Sequence, residues 1–208
     1  MKKTFLSIIS ALFIASSVNA ADLKYGVSVA YTMIDATGSE KEATETTNAS
    51  ASNEVTIGSI FIENNFGNFS LGLDYIPFKA DVNSATKTRS ETSLQSGNST
   101  TTITNKAQAE ISNHITAYAL YPFSNGAFLK LGVAQVNVDA TESLETGSKY
   151  GDDTIYGGQI GLGFGNDNWR LAVEYTDYEE VSLTSSTNSD NKITADLDTT
   201  AIKLSYNF

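Results

Sequence analysis

Apolar and polar residues alternate along this chain in eight separate stretches. In 23–34, Leu23, Tyr25, Val27, Val29, Tyr31 and Met33 share one parity, and Lys24, Gly26, Ser28, Ala30 and Thr32 share the other. A period of two places successive side chains on opposite faces of a strand. Stretch 69–78 repeats it, with Phe69, Leu71, Leu73 and Tyr75 against Ser70, Gly72 and Asp74. Stretches 127–138, 154–164 and 169–178 do the same, each setting a large apolar row against Gly, Ala and isolated charges. The closing segment sets Ile202, Leu204, Tyr206 and Phe208 against Ala201, Lys203, Ser205 and Asn207, so the last strand is expected to run to the final residue. Stretches 53–64 and 111–121 complete the set, although apolar residues at both parities leave the facing of 53–64 open.

Three connections are tight: NNFGN (64–68), PFSNG (122–126) and GNDN (165–168). Their Gly and Asn residues suit positive-φ turn positions. Four are long and polar, at 37–52, 82–106, 139–153 and 179–194, and the stretch 84–105 is low-complexity Ser/Thr/Asn. Long and short connections alternate strictly. In an up-and-down meander this places all long loops at one end and both termini with the short turns at the other, an asymmetry characteristic of membrane barrels. The pattern predicts an all-β fold: an eight-stranded antiparallel up-and-down transmembrane β-barrel.

Alternation alone does not say which row is inside. A soluble barrel would show water a row rich in Lys, Glu and Thr. Here that row is mostly Gly, Ser and Ala with charges of both signs, which suits the crowded lumen of a small barrel. The apolar row is therefore expected to face lipid. Asp74, Lys130, Glu174 and Lys203 fall at similar heights above the short-turn end. A buried charge is costly unless paired. A lumen ion-pair layer is accordingly expected from these four, with Arg170 and Lys24 below it. Phe66, Phe69, Phe123, Phe128, Trp169, Tyr206 and Phe208 are expected to form an aromatic girdle at the short-turn end, with Tyr75, Tyr156 and Tyr175 at the far interface.

The N-terminal stretch has two lysines, an apolar run from Phe5 to Ala15 and a small-residue segment ending Val18-Asn19-Ala20. This is the layout of a cleaved secretory signal peptide, 1–20, leaving 21–208 as the barrel. The net charge of −11 becomes two units more negative when Lys2 and Lys3 leave, so no nucleic-acid partner is expected. No Cys is present, which leaves burial or a bilayer to supply stability.

With these residues in hand, the mature chain resembles the small eight-stranded outer-membrane barrels of Gram-negative bacteria, of the OmpA/OmpX type. The resemblance is architectural and carries no diagnostic internal motif. Such proteins commonly end in a strand terminating in Phe with apolar residues at alternate positions, a segment read by the barrel-assembly machinery. Ile202, Leu204, Tyr206 and Phe208 match that assembly signal, while Lys203 stands where the usual pattern favours Gly. The resemblance implies a monomer in the outer membrane, in contact with its lipid and lipopolysaccharide, whose loops could meet extracellular ligands.

Chemistry is scarce. One His and no Cys exclude a Cys–His nucleophile or a His-rich zinc cluster. No G-x-S-x-G, P-loop or dinucleotide fingerprint occurs, and the glycines of 157–165 precede no helix start. No cofactor and no enzymatic activity are expected. His114 is read as a lumen-lining imidazole bonded to Ser or Thr. Asp152, Asp153, Glu179, Glu180, Asp196 and Asp198 are read as solvated loop charge, with Ca²⁺ or Mg²⁺ bridging to lipopolysaccharide as the alternative. The expected role is structural or surface-interacting. A narrow channel or a route for small apolar molecules is the alternative.

Overall fold

A computed structural model of the chain describes residues 23–42, 45–82, 86–93, 99–143 and 149–208. The leader expected over 1–20, and the cut expected after Ala20, lie outside the described residues. The elements are β1 (Leu23–Glu42), β2 (Glu45–Asn65), β3 (Ser70–Ile76), β4 (Ala80–Asp81), β5 (Thr86–Ser93), β6 (Ser99–Pro122), β7 (Ala127–Ser143), β8 (Gly151–Gly165), β9 (Trp169–Tyr178), β10 (Val181–Thr184) and β11 (Lys192–Asn207). Eight of them make the wall, in the order β1-β2-β3-β6-β7-β8-β9-β11, and β1 pairs with β11 to close it. Every pairing is antiparallel.

The seam runs from Gly26 opposite Asn207 to Lys41 opposite Lys192. Phe208 is fastened beyond it: its N–H donates to the Tyr25 carbonyl at 2.9 Å, and its ring stacks on Tyr25 with centroids 5.8 Å apart. Closure leaves no sheet edge along the seam, which hydrocarbon requires because it cannot satisfy free backbone groups.

Two of the short turns use positive φ, at Gly67 and Gly126, both 84°. The third does not. In 165–168, the Asn166 side-chain oxygen accepts from the N–H groups of Asn168 and Trp169, both at 2.9 Å, an Asx-type closure in place of a left-handed residue.

Much of the four segments read as long loops is strand. β1 and β2 stay paired to Glu42 opposite Glu45, β5 and β6 form a hairpin over 86–106, β7 reaches Ser143, and β10 pairs with β11. Polar Ser/Thr sequences carry no amphipathic signal, yet their backbone groups extend the ladder as readily as apolar ones. The strand expected over 69–78 ends at Ile76, because Pro77 has no N–H to offer the sheet.

Along the wall the two faces exchange character. On the lower part of β1, Val27, Val29 and Tyr31 point outward at 44–46% exposure while Ser28 and Ala30 are buried inside. Above Met33 the same parities carry Asp35 and Thr37 outside and Ile34 and Ala36 inside. β11 switches from Ile202 and Leu204 outside with Lys203 inside to Asp196 outside with Leu197 inside. On β7, Leu131 and Val133 are exposed below, and Val136 and Val138 are buried above. The switch lies at one level, since Asp35 pairs opposite Asp198 and Asp198 opposite Asp177. Below it stands an apolar belt; at a rise of 3.3 Å per residue and a tilt near 40°, Leu23 to Met33 spans about 25 Å, the height of a barrel's lipid band. Above it the outside is polar, and Ile34, Val82, Ile111, Val136, Ile155 and Leu197 form part of an apolar interior core.

Candidate functional site: the lumen and its wall

The lower lumen is filled by side chains seated on glycines. A Cβ on Gly72 would collide with the Tyr118 ring, and one on Gly163 with Phe128. Phe128 is thus inside, 6% exposed with Tyr118, Leu120 and Ala172, and not in the aromatic girdle, because it shares the parity of Lys130. Tyr156 also departs from the girdle. It is buried where β8 continues beside the chain leaving β9, its backbone N–H and carbonyl both taken by Glu179.

Above these rings lies the charged layer. Lys203 Nζ is 2.5 Å from Asp74 Oδ2 and 4.0 Å from Glu174 Oε2, and Lys130 Nζ is 2.7 Å from Glu174 Oε1. All four side chains are under 10% exposed. Lys130 also stands 4.4 Å above the centre of the Tyr118 ring. The four carry two positive and two negative charges, so the layer is neutral as a unit.

Arg170 lies below it, paired in a two-pronged contact with Glu63 at 2.7 and 2.8 Å, and the Tyr118 hydroxyl donates to the same carboxylate at 3.1 Å. Glu63 was not among the residues expected here. Apolar residues at both parities of β2 hid its facing; the structure puts Glu63, Phe61 and Ser59 inside, with Ile60 and Ile62 outside. Lys24 corrects the expectation in the other direction. It stands at the short-turn rim, 3.2 Å from the exposed Asp167, and takes no part in the layer, since its strand begins below the sealed part of the lumen.

Of the four terminal apolar residues, Ile202, Leu204 and Phe208 are exposed on the outer face. Tyr206 is half-buried, its ring between Trp169 at 4.5 Å and Phe208 at 5.1 Å.

Directly above the charged layer the interior opens. β6 carries a bulge between Ser112 and Ile115, with Asn113 at a φ of 51°. The extra residue reverses the parity of the strand, so Ile111 and His114 both point inward. His114 Nε2 is 2.8 Å from the Tyr178 hydroxyl, so its partner is a tyrosine and not the expected Ser or Thr. Among the described residues, His114 Nδ1, Thr116 Oγ1 and Gln159 Oε1 are buried and find no hydrogen-bond partner. All three residues line one cavity of about 710 Å³, counting its open mouth. Glu174 and Lys203 contribute to the same lining, and Ile34, Val55, Ile57, Ile76 and Phe78 are among its apolar residues.

The mouth coincides with a split in the wall. β2 pairs with β3 only from Asn65 opposite Ser70 to Ile60 opposite Tyr75. Past Pro77 the chain keeps its pairing with β6, through β4 and β5, without rejoining β2 among the described residues. Among the described residues, no backbone ladder joins β2 above Ile60 to β4 or β5. The Asn53 amide crosses the split, donating to the Asp81 carbonyl at 2.6 Å, and the Phe78 ring lies 3.6 Å from where a Cβ on Gly58 would sit.

Among the described residues, the acidic side chains above the belt form no cluster of three or more metal-ligating groups.

No protein-family model matches the chain, and no curated protein matches it in sequence. Among solved structures it is similar to Ail, the attachment invasion locus protein of Yersinia pestis, solved with the heparin analogue sucrose octasulfate, at 14% identity over 86% of this chain and 98% of that one, TM-score 0.36. It is similar to Neisserial surface protein A at 12% identity over 86% and 97%, TM-score 0.38. Outer membrane protein AlkL, solved in lipid bilayers, is 16% identical over 89% and 90%, TM-score 0.47.

Proposed function

We propose that this chain is an integral β-barrel protein of the Gram-negative outer membrane with a structural or surface-interaction role and no enzymatic one. The exchange of inside and outside polarity along β1, β7 and β11 carries the reading: a belt of Leu131, Val133, Leu171, Val173 and Leu204 suits hydrocarbon, and the polar exterior above it suits water. The protein reaches the membrane as a secreted chain and is inserted by the barrel-assembly machinery, which reads Ile202, Leu204, Tyr206 and Phe208. It acts as a monomer, since the belt is covered by lipid. The extended hairpins above the belt meet lipopolysaccharide headgroups and extracellular ligands.

The neutral, fully paired layer of Asp74, Lys130, Glu174 and Lys203 seals the lumen against an open ion pathway. Recordings from the refolded protein in planar bilayers test this. The reading expects no stepwise conductance; reproducible ohmic steps would favour a narrow channel instead.

A further inference from the structure

We infer that the cavity above the charged layer is a binding site for a small neutral molecule with an apolar body and one hydroxyl group, entering sideways from the outer leaflet through the split between β2 and β4. The inference rests on the barrel wall facing lipid, and it adds a ligand site to that reading.

Three separate features meet here. The first is the apolar side of the cavity, where Val55, Ile57, Ile76 and Phe78 stand at the split itself. An apolar body entering from lipid finds the same medium there and loses no solvation. The second is the polar end. Gln159 spends its amide N–H groups on Glu174 and Thr176, both at 3.4 Å, and this leaves Oε1 as an unmet acceptor. Thr116 is 1% exposed and its Oγ1 is unpartnered, as is His114 Nδ1. An unmet buried polar atom is costly, and a ligand that satisfies it recovers that cost. A hydroxyl both donates and accepts, so one such group can donate a hydrogen bond to Gln159 Oε1 and accept one from Thr116 Oγ1.

The third feature is charge. Lys203 and Glu174 also line the cavity, but each is already paired, Lys203 with Asp74 and Glu174 with Lys130. A carboxylate or an ammonium ligand would find no free counter-charge at this depth, and a neutral headgroup needs none. Phe78, 58% exposed and lying over Gly58, closes the split in the manner of a hinged side chain and not of a strand.

The test uses the full mature barrel in lipid nanodiscs and two photoreactive probes: an octan-1-ol bearing a diazirine, and the matching octane lacking the hydroxyl. Irradiation fixes each probe where it sits, and mass spectrometry maps the adducts. The alcohol is expected on peptides carrying Ile57, Ile76, Phe78 or Ile111, with unlabelled octan-1-ol competing it away. Thr116→Val and Gln159→Leu should each lower that labelling by up to about tenfold, the weight of one lost hydrogen bond of about 1.4 kcal/mol, and the combined variant by more than either alone. Phe78→Ala should raise its rate. Labelling by the alcohol confined to belt peptides such as those of Leu131 and Val173, or cavity labelling that octan-1-ol does not compete, would overturn the site. The competition arm needs no variant, so a substitution that fails to fold leaves the test intact. The octane probe separates the two readings: its adducts at Leu131, Val173 and Leu204 report the lipid-facing wall whether or not the cavity binds anything.

Discussion

Lys203 of β11 and Asp74 of β3 meet at 2.5 Å in the middle of the lumen, although three strand-to-strand steps of the wall separate them. The pair therefore ties distant parts of the tube together. Removing one partner of a buried pair strands the other, at a cost of about 3 to 5 kcal/mol, whereas replacing both by apolar groups is often near neutral. Asp74→Asn should fall at or below the low end of that range, because Glu174 stands 4.0 Å from Lys203 as a second partner. Urea unfolding in lipid vesicles should show this loss, with the Asp74→Leu, Lys203→Met double variant recovering most of it. A double variant as unstable as the sum of its singles would remove the pair from the account.

Gly72 exists where it does because the Tyr118 ring occupies its side-chain space. Gly72→Ala must displace a ring that also donates to Glu63 and lies under Lys130. Overpacking of this kind costs about 1 to 3 kcal/mol. In a Tyr118→Leu background the same substitution should cost far less, a non-additivity that a double-mutant cycle measures directly.

Asp35, Asp198 and Asp177 stand opposite one another across three adjacent strands just above the apolar belt. Partial burial, and then the charges of Asp35 and Asp177, hold the Asp198 carboxyl above its ordinary value. An acid whose pKa is raised by folding favours the folded state when protonated, so its contribution is present at low pH and is lost as pH rises through the raised folded value. Asp198→Asn should therefore stabilise the barrel at pH 7, by about 0.5 kcal/mol for relief of cross-strand like charges. Below about pH 3.5, under the ordinary aspartate range, the gain should vanish. Urea midpoints at the two pH values check it; an equal gain at both would assign the effect to something other than charge.

How much of this was legible in the chain follows from how each residue signals its surroundings. The lipid-facing rows of β1, β9 and β11 could be read by eye, because Val27, Leu171 and Leu204 alternate with small or charged neighbours on strands free of bulges. β2 could not, since Ile57 and Phe61 point inward while Ile60 and Ile62 point outward, and all four are apolar. That ambiguity concealed Glu63. The parity switch at Asn113 is silent, because a non-glycine residue at positive φ has no reliable signature. Pro77 did carry a signal: a proline inside an otherwise regular strand marks the end of a ladder, and it marks where the wall splits. The segment 179–194 reads as loop because its outward residues are polar, yet Val181 and Leu183 keep a strand period with the apolar row moved inside.

The most direct test of the central claim uses the absence of cysteine from the chain. Single substitutions Leu131→Cys, Val173→Cys and Leu204→Cys, and separately Asp35→Cys, Asp177→Cys and Asp196→Cys, are spin-labelled in liposomes. Collision of each label with oxygen, which concentrates in lipid, is compared with collision with a water-soluble nickel complex. The first three labels are expected to meet oxygen and not nickel, and the second three the reverse. Labels at Leu131, Val173 and Leu204 that meet neither relaxant, with a label at Lys130→Cys freely meeting nickel, would place the apolar row in a dry centre and contradict the account.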